Sequence, residues 1–333
     1  MGGRSDGWPV SATKEQIDWI SGVLEASSKP SNALDPLCGA GQVLYECGLR
    51  GWKCTGMEPD PFLRWMSTVR SFRFRPDAAE FVGYAWERVA DDVFWESDMF
   101  AVPEVAGTIG YGPVTADFLG RVRRQIDKES DEGINSLLKL AFLASLPLLE
   151  GDDSSFDDRK GMSVFSECLQ RVRSDLGPNP ELSQTVHLCN PRDMPYTLRN
   201  SYDLVVCMLP DIGEREDSRL FRTMGQWMGF GDLELRDDRS IGYPLGDFGA
   251  YMSRAGKEDY VERWFSDVGS LIAMLSKVMS RSCTAHFLVP DETFGGISID
   301  RAGRIADMAS SMGLEAEETG KGTSRGVAFR RRQ

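Results

Sequence analysis

The chain contains 333 residues, of which 41% are hydrophobic and 27% are charged, a composition typical of a globular protein with a full apolar core. No apolar run approaches the ~20 residues that a membrane-spanning helix requires, so we expect no contact with a membrane. The formal net charge of −13 opposes binding to phosphate backbones, which disfavours DNA as a partner.

Cysteine and histidine usage bears on the cell compartment and on metals. The seven cysteines are an odd number and contain no CxxC pair, which indicates reduced thiols and a cytoplasmic protein. The two histidines, His187 and His286, are too few for a histidine-based metal centre. The sequence therefore predicts no metal cofactor.

The first predicted element is a helix over residues 13–27, which follows an aromatic–proline segment at residues 8–11. Gln16 lies three residues after Thr13, and this is the spacing of a capping box. We therefore expect Thr13 to be the N-cap of this helix.

The most informative pattern, over residues 32–62, is strand, glycine turn, helix, strand and then an acidic residue. Gly39 and Gly41 lie in the turn, where a residue without Cβ lets the main chain turn sharply and approach a ligand. Glu58 closes the second strand, where a carboxylate can accept both hydroxyls of a ribose. The third glycine of the dinucleotide fingerprint is missing, and an Asp-Pro dipeptide precedes the turn. The pattern thus predicts an adenosine-containing ligand other than a dinucleotide.

The alternation of strands and helices stops after residue 62 and resumes at residue 186. Apolar residues at helical spacing predict helices in between, over residues 62–73, 78–89, 114–128, 132–149 and 165–176. Residues 151–161 are acidic and bounded by glycine, which predicts a loop. We interpret residues 63–180 as a helical insertion that forms a substrate lobe, with residues 1–62 and 181–333 as the two parts of the main domain.

The last part of the chain returns to strands and helices. Residues 202–208 form a continuous apolar run of the kind found in buried parallel strands. Further strands are predicted over residues 185–189, 283–289 and 326–330, and further helices over residues 260–279 and 301–312. The sequence therefore predicts an α/β fold in which helices cover both faces of a mostly parallel sheet.

The glycine turn and the strand after it resemble a known ligand site. Asp-Pro-x-Cys-Gly-x-Gly, a helix and then Gly-x-Glu-x-x-Pro is similar to the S-adenosylmethionine (SAM) site of the DNA methyltransferases that methylate adenine N6 or cytosine N4. The resemblance implies a Rossmann-like class I methyltransferase fold with SAM as cofactor. By matching position, it assigns the methionine end of SAM to Asp35, Pro36, Cys38, Gly39 and Gly41, and the ribose to Glu58. The alternative is an ordinary strand–turn–helix without a ligand.

The same resemblance implies two further contacts with SAM. In that family, a short aromatic–proline segment and a helix close over the methionine carboxylate, which makes Ser11 and Thr13 candidates for this contact. Asn190, in an Asn-Pro-Arg sequence, matches a turn near the adenine of SAM. A helix cap for Thr13 and a structural turn at Asn190 are the alternatives.

The chain departs from the family at the catalytic motif. The family ends its fourth strand with Asp/Asn/Ser-Pro-Pro-Tyr/Phe, whose first side chain accepts the amine hydrogens and whose aromatic ring stacks on the extruded base. The matching residues here are Met208, Leu209, Pro210 and Asp211. Met208 cannot accept a useful hydrogen bond, and Asp211 offers no aromatic face, so the departure argues against standard base methylation.

Two rearranged acceptor sites remain open. Asp211, next to the retained Pro210, is one candidate as hydrogen-bond acceptor or general base. Alternatively, Asn190 with Tyr196 supplies an amide and an aromatic ring, although the spacing differs from that of the family motif.

These observations favour a SAM-dependent methyltransferase of DNA-methylase-like descent that acts on a small molecule or a peptide. The alternatives are a DNA amino-methyltransferase of a modification or defence system and a catalytically silent SAM-binding scaffold. Arginine clusters at residues 70–75, 121–124 and 330–332 are the candidate DNA contacts. The sequence does not indicate an oligomeric state.

Overall fold

The computed structural model describes residues 12–71, 74, 76–95, 110–151, 153–174, 184–190, 201–212, 219–230, 248–294 and 296–332. The chain divides into two compact units. One, which we call the helical unit, comprises Met1–Ser11, Phe72–Asn179 and Glu216–Glu234. The other, which we call the sheet unit, comprises Ala12–Ser71, Pro180–Arg215 and Leu235–Gln333.

The helices and strands are numbered along the whole chain. The helices of the sheet unit are α1 (Lys14–Ala26), α2 (Gln42–Leu49), α3 (Pro61–Arg70), α9 (Phe248–Val278) and α10 (Arg301–Ser311). Its strands are β1 (Ala33–Asp35), β2 (Cys54–Glu58), β3 (Gln184–Leu188), β4 (Tyr202–Met208), β5 (Met279–Leu288), β6 (Glu292–Phe294), β7 (Ile297–Ile299), β8 (Leu314–Thr319) and β9 (Gly326–Arg331). The helical unit contains α4 (Ala78–Trp95), α5 (Pro113–Asp127), α6 (Glu132–Ser145), α7 (Asp158–Ser174) and α8 (Arg219–Trp227).

Seven strands form one sheet in the order β3–β2–β1–β4–β5–β9–β8. Strands β1 to β5 run parallel, whereas β9 is antiparallel to both β5 and β8. The order reverses between β1 and β4, and ligands of open α/β sheets bind at the carboxyl ends of the strands at such a switch point. The fold is a Rossmann-like methyltransferase fold, and the predicted fold class is confirmed.

Both faces of the central strand β4 are buried, which explains its continuous apolar sequence. Leu204 and Val206 pack into an apolar cluster with α1 and α2. Val205 and Cys207 point to the other face, into a larger cluster built with α9 and α10. Alternate side chains of one strand therefore hold the two helical layers onto the sheet.

Several predicted boundaries are confirmed and others are wrong. The predicted capping box is present, since Thr13 Oγ1 accepts a hydrogen bond from the amide of Gln16 and the Gln16 side chain accepts one from Thr13. The loop prediction for residues 151–161 is wrong in part, because α7 already begins at Asp158. One acidic residue of this loop has a local structural role: Asp153 accepts hydrogen bonds from the main-chain amides of Val114 and Thr115, at the start of α5, at 2.8 Å and 3.0 Å. Strand β8 and helix α8 were not predicted.

The helical unit has its own apolar interior. Trp86 of α4 stacks on Phe165 of α7 with ring centroids 4.0 Å apart. Arg121 of α5 is buried and binds Asp158 of α7 at 2.9 Å and the main-chain oxygen of Val93 at 2.7 Å. Among the described residues, no helix has both the length and the apolar character needed to cross a bilayer.

Candidate functional site

The glycine turn lies at the carboxyl end of β1, next to the switch point of the sheet. Gly39 and Gly41 both have positive φ angles, 50° and 87°, which favour glycine. A Cβ atom at Gly41 would lie 2.7 Å from Ser67 Oγ and 2.9 Å from Ser67 Cα. Position 41 therefore requires glycine for its backbone angle and for its contact with α3.

Main-chain hydrogen bonds hold the turn against β2. The amide of Cys38 donates to the carbonyl of Met57 at 3.0 Å, and the amide of Gly41 donates to the carbonyl of Cys38 at 2.7 Å. The amide of Gly39 donates to Glu58 Oε2 at 3.0 Å. These bonds fix the turn and bring Gly39 next to the acidic residue that closes β2.

Glu58 is buried and has a fixed orientation. Its Oε2 accepts the Gly39 amide, and its Oε1 accepts the amide of Asp60 at 2.8 Å. An ionised carboxylate only accepts hydrogen bonds, so a ligand would have to donate to it through groups such as hydroxyls. This geometry suits a carboxylate that receives two hydroxyl groups of a ligand.

Asp35, the last residue of β1, is a buried acid with one free oxygen. Its Oδ1 accepts the amide of Leu37 at 3.2 Å, but no donor among the described residues bonds to its buried Oδ2. Burial raises the pKa of the Asp35 carboxyl to about 7. A buried carboxylate oxygen without a partner is costly, and a cationic ligand would relieve that cost. The ammonium group of SAM is such a cation, so the residues present fit this cofactor.

Cys38 contributes to the turn through its main chain. Its Sγ lies 3.4 Å from Ser67 Oγ and packs in the apolar cluster behind the turn. Burial raises the pKa of the Cys38 thiol well above its ordinary value, so this group is not an activated nucleophile. A Cβ atom at Gly56 would lie 2.8 Å from this sulfur, which explains glycine at that position of β2.

Helix α3 supports the turn from behind, a role that the sequence reading missed. Asp60 caps this helix by accepting the amides of Phe62 and Leu63, directly after Glu58. Arg70, which is buried, donates to the carbonyl of Ala40 in the turn at 3.4 Å. The helix thus continues from the acid that closes β2 back to the glycine turn. Only the arrangement of Ser67 and Arg70 on one helical face could have indicated this contact.

The end of β3 brings two further residues to the same edge. Leu188 is the direct neighbour of Glu58 in the β2–β3 register, and 45% of its surface is exposed. Asn190, a predicted cofactor contact, follows two residues later and is half-buried. An exposed leucine beside a buried acid was not recognised in the sequence, because its exposure depends on the edge position of β3.

The end of β4 has a different character. Asp211 is 59% exposed at its side chain, and its Oδ1 accepts a hydrogen bond from Arg301 Nη2 at 2.7 Å. The carbonyl of Pro210 accepts from Arg301 Nη1 at 3.3 Å. The two predicted catalytic residues therefore share one buried arginine, which the sequence reading did not connect to them.

Two predicted residues, Ser11 and Tyr196, lie outside the described residues. The fit of Pro36 to SAM rests on its place between Asp35 and the turn. Within the described ranges, no group of three or more His, Cys, Asp or Glu side chains is placed to hold a metal ion.

Comparison with known proteins adds a structural similarity only. No protein-family model matches the chain, and no curated protein matches its sequence. The chain is similar to a solved structure of the rRNA methyltransferase aviRa from Streptomyces viridochromogenes, with 12% sequence identity and a TM-score of 0.35. The similarity covers 99% of this chain and 88% of that one. A similarity at this level carries no argument about activity or substrate.

Proposed function

We propose that the protein is a SAM-dependent methyltransferase that acts on a small molecule or a peptide. One observation carries the proposal: next to the glycine turn, at the switch point of the sheet, lie a buried oxygen of Asp35 with no donor among the described residues and the oriented carboxylate of Glu58. These groups suit the two ends of one ligand, a cationic amine and a ribose.

In this proposal, Asp35 accepts a hydrogen bond from the ammonium group of SAM and Glu58 accepts the ribose hydroxyls. Leu188 and Asn190 lie at the same edge and suit the adenine ring. When bound, SAM supplies a methyl group that its sulfonium centre activates for transfer. The chain binds and orients the cofactor. Asp211 is the candidate residue that accepts a hydrogen bond from the group to be methylated.

The charge distribution supports an acceptor other than a nucleic acid. Three arginines from the sequence clusters, Arg70, Arg121 and Arg123, are buried and bonded within the protein. Arg330 forms an ion pair with Glu315 at 2.8 Å. The three buried arginines are therefore not available as contacts for phosphates, whereas Arg330 stays 63% exposed beside its carboxylate partner.

Among the described residues at the carboxyl edge of the sheet unit, carboxylates outnumber guanidinium groups in the ion pairs. Two guanidinium groups there are paired with five carboxylates: Arg301 with Asp211 and Glu292, and Arg325 with Asp291, Asp300 and Glu318. An acidic rim repels a polyanion and attracts a cation. This charge favours an amine-bearing acceptor over DNA or RNA.

A catalytically silent SAM-binding protein is the second candidate. It is favoured by Met208, which stands where the resembled family has a hydrogen-bonding side chain. The role of residues 63–180 as a substrate lobe and the cytoplasmic location stay predictions.

Calorimetry with SAM tests the binding half of the proposal, and we expect saturable binding with one site per chain. Tritiated SAM then tests transfer, with three separate acceptor pools: nucleic acids, a protein extract freed of nucleic acids, and a metabolite extract. We expect label in the protein or metabolite pool. Binding without transfer to any pool would support the silent candidate, and no binding would reject both.

A further inference from the structure

Arg301 occupies an unusual position for a cation. It is completely buried and is the first residue of α10, whose N-cap, Asp300, accepts the amide of Gly303 at 3.0 Å. The amino end of a helix carries a partial positive charge, so a buried guanidinium there is unfavourable unless other groups compensate it. The compensating groups indicate what Arg301 does.

Among the described residues, the hydrogen-bond and ion-pair partners of the Arg301 guanidinium come from two segments at the carboxyl edge of the sheet. From the segment after β5, the carbonyl of Pro290 accepts Nε at 3.0 Å and Nη2 at 2.7 Å, and Glu292 Oε2 lies 2.9 Å from Nη1. From the segment after β4, Pro210 and Asp211 accept the bonds described above. One planar side chain therefore links the two segments.

Glu292 extends this link to the next residue of the β4 segment. Its Oε2, which faces Arg301, also accepts the amide of Ile212 at 2.8 Å. The carbonyl of Pro210, the carboxylate of Asp211 and the amide of Ile212 are thus each bonded to Arg301 or Glu292. Three consecutive residues after β4 are held by the same pair of side chains.

Stability alone does not account for this arrangement. A buried ion pair commonly contributes no more to stability than apolar residues of the same volume would. Apolar packing is available at this point, because the guanidinium lies 5.5 Å from the ring centroid of Trp264 in the core cluster. What an apolar residue could not provide is the directional fork that orients a carboxylate.

We propose that Arg301 is a positioning residue for the methyl acceptor. It orients the carboxylate of Asp211, whose side chain remains 59% exposed at the edge where β1 and β4 end. The exposed part of this carboxylate can then accept a hydrogen bond from the molecule to be methylated. This inference rests on the proposed function, since it assigns the segment after β4 to the acceptor side of a methyltransferase. Arg301 is then required for methyl transfer and not for SAM binding.

The test compares Arg301→Lys with Arg304→Lys in the full chain. Lysine keeps the charge but loses the fork. Arg304, on the same helix, forms an ion pair with Glu262 at 2.9 Å and has no hydrogen bond or ion pair to the described residues of either segment. We expect Arg301→Lys to bind SAM within about twofold of wild type and to lose about tenfold in kcat, no more than the loss of the Asp211 carboxylate itself produces. Arg304→Lys should keep both values. Transfer is measured with tritiated SAM and the acceptor pool that wild type labels.

A double-mutant cycle separates positioning from a merely structural role. If Arg301 acts through Asp211, then Arg301→Lys combined with Asp211→Asn should lose no more kcat than the stronger single variant. Additive losses, or an equal loss of SAM affinity, would overturn the inference. Should Arg301→Lys not fold, the exposed Asp211→Asn and the conservative Asp211→Glu replace it, and unchanged kcat in both overturns the inference.

The same experiment distinguishes this inference from the proposed function. If wild type transfers methyl groups and Arg301→Lys transfers them equally well, only the role of Arg301 is rejected. If wild type binds SAM but labels no pool, the methyltransferase proposal is rejected and the positioning role with it.

Discussion

The segments that follow β1 and β4 lie at the same edge of the sheet but differ in how their polar groups are paired. The β1 segment is a glycine turn held by main-chain bonds and by the side chains of Glu58 and Arg70, and no donor among the described residues bonds to the buried Oδ2 of Asp35. The β4 segment is held by side chains, and Arg301 and Glu292 bond three consecutive residues of it. Under the proposed function, the Asp35 oxygen receives a donor from the ligand, whereas residues 210–212 are bonded within the protein itself.

The largest expected effect is at the glycine turn. Gly41→Arg should raise the Kd for SAM at least about 100-fold, because any side chain at this position meets Ser67 and displaces the turn. Calorimetry measures the affinity. Gly51→Ala is the matched control, since Gly51 also has a positive φ, of 64°, but has no atom within 4 Å of an added Cβ. Equal losses in both variants would show that backbone strain alone is responsible.

Removing the charge of Asp35 should have the next largest effect. Asp35→Asn keeps the shape of the side chain but loses the anion, so we expect SAM to bind about 10- to 100-fold more weakly, as for the loss of a buried charge-assisted bond. Fluorescence-monitored unfolding checks that the variant is folded. An affinity equal to that of wild type would mean that the free oxygen of Asp35 does not receive the ammonium group.

On the β4 side, Asp211→Asn should reduce turnover and leave SAM binding intact. We expect kcat to fall about tenfold or more, because a neutral amide accepts a hydrogen bond from the molecule to be methylated less strongly than a carboxylate does. Calorimetry should give a SAM Kd within about twofold of wild type. A changed Kd for SAM with an unchanged kcat would place Asp211 in cofactor binding and not in the transfer step.

The smallest expected effect is a pH dependence of SAM affinity. Because burial raises the pKa of Asp35 to about 7, this carboxyl is mostly protonated at pH 6 and mostly ionised at pH 8 in the absence of ligand. A cationic ligand needs the ionised form, so the affinity should rise by up to about tenfold from pH 6 to pH 8 and then level off. Asp35→Asn should remove this rise, and a rise that persists in the variant must come from another group.

The local elements of the sheet unit were predictable because their signals are contained in short stretches of sequence. The turn at Gly39 and Gly41, the capping box of Thr13 and the apolar strand β4 all depend on neighbouring residues. Strand β8 was missed because only Leu314 and Ala316 of its residues face the core, so it offers a weak apolar pattern. The start of α9 was placed too late, at residue 260 instead of Phe248.

The candidate site divides in the same way. The sequence by itself determined the turn, the acid that closes β2 and the departure from the family motif at Met208, since each is a property of one short segment. The fold was needed to show that no donor among the described residues reaches Asp35 Oδ2 and that Asp211 is bonded to Arg301, which lies 90 residues away. It also decided that Arg121, a candidate for DNA contact, is a buried partner of Asp158. The physical reason is that burial and hydrogen bonding depend on which segments the fold brings together, and spacing along the chain does not encode this.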